Sequence, residues 1–109
     1  MRDDPRGTAL AFLVDEHLLA RDAAEQALRL ADTVLRTGLT RLAAAAGTGD
    51  LPACVEAAHA LKGNLLNLGL PWLADIAQAV VAAARQGEAD DCRRLAGELA
   101  VAVIPFWGE

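Results

Sequence analysis

Apolar residues at helical spacing, cut into segments by glycine and proline, constrain this chain more than any other feature. Across residues 16–46 only Gly38 opposes helix, and it weakens one locally by roughly 1 kcal/mol relative to alanine. Leu28, Ala31, Leu35, Leu39, Leu42 and Ala46 recur there every three or four residues, a stripe that has to be covered by something. Gly47-Thr48-Gly49 ends the run. Asp50 is placed to cap a second helix over about residues 51–68, with Pro52 tolerated in its first turn. Gly69 follows the last periodic residue, where a left-handed C-terminal conformation suits glycine. Pro71 opens a third helix, with Leu73, Ile76, Ala77, Val80 and Ala84 on its buried side, and Gly87 stops it. Glu88 or Asp90 starts a fourth, which presents Cys92, Leu95, Leu99 and Ala102 or Val103. Pro105 ends it, leaving Phe106 and Trp107 to cover one end of the core.

Ahead of these, Thr8 is placed to cap a short helix reaching about Val14, while residues 1–7 are polar and expected to fray. The pattern does not decide whether residues 16–21 join the long helix or bend away. Four main helices joined by short turns make neighbours antiparallel. The expected fold is therefore all-α, an up-down-up-down four-helix bundle with a short additional N-terminal helix, in one domain over residues 8–109. A length of 109 residues supports one core and not two. Alanine and leucine dominate an apolar content of 54%, with few β-branched or aromatic residues, which also favours helix. No internal repeat or low-complexity stretch interrupts the pattern.

The bulk numbers exclude several functions. A net charge of −5 and a pI near 4.9 argue against nucleic acid as a partner. The mean hydropathy is positive, and the sparsely charged residues 63–84 are long enough to span a bilayer. They contain Asn64, Asn67, Pro71, Asp75 and Gln78, however, so the expectation is a protein that does not enter the membrane. Two unpaired cysteines without a visible signal peptide fit a reducing cytoplasm. Cys54 and Cys92 lack metal-ligand or C-x-x-C spacing and read as small buried hydrophobes with free thiols.

Chemistry concentrates in one stretch, His59-Ala-Leu-Lys-Gly-Asn-Leu-Leu-Asn-Leu-Gly69. It holds one of two histidines and the single lysine, with a glycine next to the lysine inside a helix. At about 100° per residue, Lys62 and Gly63 fall about 60° and 40° to either side of His59, one turn further along. Leu61, Leu65 and Leu68, with Cys54 and Ala57, form the core stripe on the opposite side. An imidazole, an ammonium and a gap without a side chain thus share one solvent-facing surface. A neutral imidazole has a lone pair that attacks phosphorus without a strong base. Lys62 would sit beside the phosphoryl oxygens, and Gly63 would let another protein's active site close over the ring. Neither an acidic cluster for Mg²⁺ nor a Gly-rich loop for ATP is visible, so the chain reads as half an active site. Val55 and Leu66 lie on the His59 side of the wheel as an apolar patch, with Asn67 a hydrogen-bonding group at its rim.

His59-Ala60-Leu61-Lys62-Gly63 with Gly69 resembles the H-x-L-K-G motif of the histidine-containing phosphotransfer (HPt) domain, and the likeness extends more loosely over residues 9–99. The small pair Ala57-Ala58 and the Arg85-Gln-Gly-Glu88 turn also look like the family. The resemblance implies a phosphoacceptor role for His59, a phosphorelay in two-component signalling, and no kinase activity of its own. The implied partner is the receiver domain of a response regulator or hybrid kinase, which supplies an aspartate and Mg²⁺. Two departures stand out. Asn64 occupies a position often held by serine, and alignment puts Val81 where the facing helix often places glutamine or glutamate near the histidine.

Bland alternatives apply to every candidate. His59 alone would be an incidental surface histidine; the lysine and glycine beside it argue otherwise. His17 has no such neighbours and reads as surface, and Trp72 and Trp107 read as core or end cover. The alternative function is an HPt-like adaptor that docks receivers or another helical partner without accepting phosphate, for which Val81 is the best support. A sensor-kinase dimerisation domain would usually show an acidic residue after the histidine and a nearby proline, whereas Ala60 stands there, and it would need an ATP-binding domain, which is not expected within these 109 residues. A monomeric module with no linker to a second domain is expected.

Overall fold

A computed structural model describes residues 4–107 of the chain. Five α-helices are formed there: α1 (Pro5–Asp15), α2 (Arg21–Thr48), α3 (Leu51–Asn67), α4 (Pro71–Arg85) and α5 (Ala89–Val103). A 3-10 turn, Ile104–Trp107, closes the described chain.

Local chemistry sets the boundaries. Asp50 accepts a hydrogen bond from the Ala53 N–H at 3.2 Å, capping α3 ahead of Pro52. Gly49, Gly69 and Gly87 end α2, α3 and α4 with φ of 73°, 72° and 76°. At each end the residue after the glycine donates back into the helix: Asp50 to Ala45, Leu70 to Leu65 and Glu88 to Ala83, at 2.9, 3.0 and 2.9 Å. These bonds satisfy carbonyls that would otherwise lack donors.

The N-terminal helix starts earlier than expected. Asp4 accepts from the Gly7 N–H at 2.9 Å and Pro5 occupies the first helical position, where its missing N–H costs nothing. Thr8 therefore lies inside α1, and residues 5–7 of the stretch expected to fray are helical; residues 1–3 lie outside the described residues. Residues 16–20 bend away from the long helix, with Leu18 at a φ of 55°.

With 28 residues at about 1.5 Å each, α2 is about 42 Å long and runs the full 43 Å of the molecule. It packs against α3 and α5; α4 packs between those two and closes the ring, while α1 lies on α2 and meets the C-terminal turn. Leu35 and Leu42 from α2, Leu61 and Leu65 from α3, Leu73 from α4 and Leu99 from α5 are almost wholly removed from water. Each contributes about 1.5–3 kcal/mol by burial. Phe106 is buried beneath one end, with Trp72 and Trp107 half-buried. On α3 the expected stripe shifts by one position: Ala58 is fully buried and Ala57 only half-buried.

Two contacts position the helix that carries His59. A Cβ on Gly38 would lie 2.7 Å from Leu61 Cδ2, so that glycine lets α2 and α3 approach closely. The ring of Phe12 fills the space against Gly69, where a Cβ would meet it at 2.4 Å. Arg6 joins α1 to the rest, donating to both carboxylate oxygens of Asp32 (2.8 and 3.2 Å) and to the Phe106 carbonyl. Among the described residues no helix is long and apolar enough to cross a membrane.

Candidate functional site

The outward surface of α3 brings together the three residues singled out in the sequence. His59 is exposed and makes no hydrogen bond or ion pair with any described residue, so only the helix holds it. Gly63, one turn on, is exposed, and a Cβ there would find nothing within 4 Å. Lys62 is half-buried, and its Nζ donates to Gln78 Oε1 on α4 at 2.8 Å. A carboxylate in that place would cancel the ammonium charge. A neutral amide holds the group in position and leaves the charge intact, with two N–H donors free for an incoming anion.

Gln78 also corrects the expectation about the facing helix. Val81 does not face the site; it is 1% exposed and part of the core. The register slips because Val80, Val81, Ala83 and Ala84 are all buried in this part of α4, leaving little polar surface to mark a face. The polar side chain that reaches across to α3 is one turn earlier. A signal was present in the sequence: Gln78 is the sole polar residue between Asp75 and Arg85.

The residues expected around the histidine separate into two groups. Leu66 is 46% exposed and Asn67 is exposed, both about two turns past His59. Val55 is half-buried and packs against the core, so less of it is available at the surface. On the other flank of α3, the groove against α2 is lined largely by alanines, Ala60 among them, with Arg41 and Glu56 at its edge.

The remaining reactive groups lie elsewhere. His17 stacks edge-on against Phe12, with centroids 5.3 Å apart, at the end of α1. Cys54 and Cys92 are fully buried free thiols facing one another, and burial pushes both above the ordinary thiol pKa. Among the described residues no three His, Cys, Asp or Glu side chains converge as a metal set.

The family model for the Hpt domain matches residues 12–103, which include the whole of α2 to α5 and the His59 stretch. The chain belongs to the Hpt domain family, whose members serve histidine phosphotransfer and interact with receiver domains. Neither the curated proteins nor the solved structures gave a match to this chain.

Proposed function

We propose that this protein is a phosphocarrier on an up-down-up-down four-helix bundle: His59 takes a phosphoryl group from the aspartyl phosphate of one receiver domain and passes it to another. The observation that carries the reading is the exposed imidazole of His59 between a charge-retaining Lys62 and the open space over Gly63. The neutral imidazole attacks phosphorus with its lone pair. A P–N bond forms, the acyl phosphate P–O bond breaks, and the receiver carboxylate leaves with the electron pair; the phosphoimidazolium then sheds its extra proton to solvent. Transfer onward reverses these steps on a second carboxylate.

In this reading Lys62 sits against the equatorial oxygens, where charge accumulates, and Gln78 positions it. Gly63 admits the partner, while Leu66 and Asn67, with the accessible part of Val55, form the contact around the ring. The receiver brings Mg²⁺ and the carboxylate. The carrier works as a monomer in the cytoplasm.

Incubation with phosphorylated receivers tests this: acid-labile, base-stable label on wild type, absent from His59→Gln, is the expected result. Receiver binding without label on His59 would instead favour the adaptor. That alternative drew its support from Val81, which is buried in the core, while Gln78 supplies a polar group on that flank.

A further inference from the structure

Lys62 is the single lysine of the chain, and its surroundings set it apart from the paired cations. Arg6, Arg21, Arg93 and Arg94 each meet a carboxylate, whereas Lys62 meets none among the described residues. Its half-buried stem ends in a nitrogen that donates to the neutral Gln78 Oε1 at 2.8 Å, across from α3 to α4. One turn earlier on α3 stands His59, exposed and engaged by no other side chain. The next residue, Gly63, leaves the approach open. The chain's one side-chain amine is therefore fixed in place, beside an imidazole and within reach of a small molecule.

The donor in the phosphocarrier reading is an acyl phosphate, a mixed anhydride with two electrophilic atoms. Phosphorus is the target of the imidazole; the acyl carbon is a target for an amine. An acyl phosphate gathered between His59 and Lys62 presents both atoms to both nucleophiles. A lysine attacks only as the neutral amine, a minor form at neutral pH, and the reaction gains from a base that takes its proton as the bond forms. Residues three apart on a helix have Cβ atoms about 5–6 Å from each other, which puts the His59 ring within reach of the lysine nitrogen.

We infer that Lys62 is an acylation site at which small acyl phosphates, acetyl phosphate being the simplest, switch the carrier off, with His59 as the base. The Nζ lone pair adds to the acyl carbon and a C–N bond forms. The C–O bond to phosphate breaks, and phosphate leaves with the electron pair. The extra proton on nitrogen passes to the imidazole and then to solvent, leaving Nε-acyl-lysine and inorganic phosphate. The new amide keeps one N–H for Gln78, so the side chain stays where it was. It has lost its charge and the two donors available to phosphoryl oxygens. The site follows from the geometry; its effect on transfer rests on the reading of His59 as phosphoacceptor.

The test incubates the full chain with acetyl phosphate and follows Lys62 by peptide mapping after acid treatment, which removes phosphohistidine and spares acetyl-lysine. Nα-acetyl-lysine amide in the same solution gives the rate of an unassisted lysine. Lys62 is expected to acetylate about tenfold faster or more, and His59→Gln to fall close to the reference rate. Once the reagent is removed, acetylated wild type should take phosphoryl from a phosphorylated receiver about tenfold more slowly or worse. Lys62→Arg keeps a charge but no amine, so its own transfer rate should be the same before and after treatment, which discounts acetylation of the α-amine. A Lys62 rate equal to the reference, or a His59→Gln rate equal to wild type, would overturn the inference. So would an acetylated chain that transfers as it did before treatment. Wild type that takes no label from any receiver would end the phosphocarrier reading, and the acetylation rates would still decide the site.

Discussion

Gly38 and Gly63 look alike in the sequence, each a glycine inside a long helical run, yet their surroundings are opposite. A Cβ on Gly38 would press on Leu61 at 2.7 Å, whereas a Cβ on Gly63 would meet nothing within 4 Å. Both weaken their helices by roughly 1 kcal/mol relative to alanine. Gly38 compensates inside the molecule by letting α2 and α3 close together; Gly63 has no compensating contact within the chain. Gly97 in α5 is equally open, so openness alone does not define a site. What distinguishes Gly63 is that His59 and Lys62 share its surface.

Several substitutions would break or sharpen this contrast. The largest effect is expected at a third glycine, Gly69, which combines a left-handed φ of 72° with direct contact to the Phe12 ring. Gly69→Ala should lower stability by about 2–4 kcal/mol in urea titration, from left-handed strain and overpacking together. Gly38→Val should cost about 1–3 kcal/mol by the same measurement, and an unchanged midpoint would mean that α2 and α3 do not need their close approach.

Gln78→Leu leaves the Lys62 ammonium without its acceptor. Phosphotransfer should slow three- to tenfold, equivalent to about 0.7–1.4 kcal/mol, with receiver affinity nearly unchanged; loss of affinity alone would make Gln78 a docking residue instead. Gly63→Ala should raise stability by about 0.5–1 kcal/mol while Gly63→Phe slows transfer. Destabilisation by alanine there would contradict the open space.

The smallest effect concerns pH. Burial raises the Cys54 and Cys92 pKa values in the folded chain, so the unfolded chain loses thiol protons first as pH rises. Their contribution to stability is complete below the ordinary thiol pKa and declines above it, through the raised folded values. Cys54→Ala/Cys92→Ala should flatten that alkaline decline in a series of melts, and an identical slope would assign it to other groups.

The helices were legible because their signals are local. Asp50 with Pro52, and Gly69 ahead of Pro71, declare their ends within a few residues. The start of α1 is less legible, because Asp4-Pro5, a cap followed by a tolerated first-turn proline, sits in a stretch polar enough to look like a frayed tail. On α3, the spacing of His59, Lys62 and Gly63 placed them together before any tertiary contact was known. Alignment sets Val81 at the position facing the histidine, whereas the polar side chain that reaches α3 is Gln78, one turn earlier, because helix-to-helix register depends on how two surfaces interlock and leaves no periodic trace in the sequence of either helix.

By itself, then, the amino-acid order determined where helices begin and end, which side of each is apolar, and that one imidazole shares a helix surface with one cation and one vacancy. These follow from hydrogen-bond geometry and a 3.6-residue repeat, both properties of neighbouring residues. Tertiary packing alone decided which glycine serves the fold and which stands open, that a neutral amide holds the lysine, and that Leu30 and Val34 of α2 share a groove with Asn64 and Asn67 of α3. Those relations join residues 16 to 37 positions apart, and only the depth and angle at which whole helices seat against each other sets them.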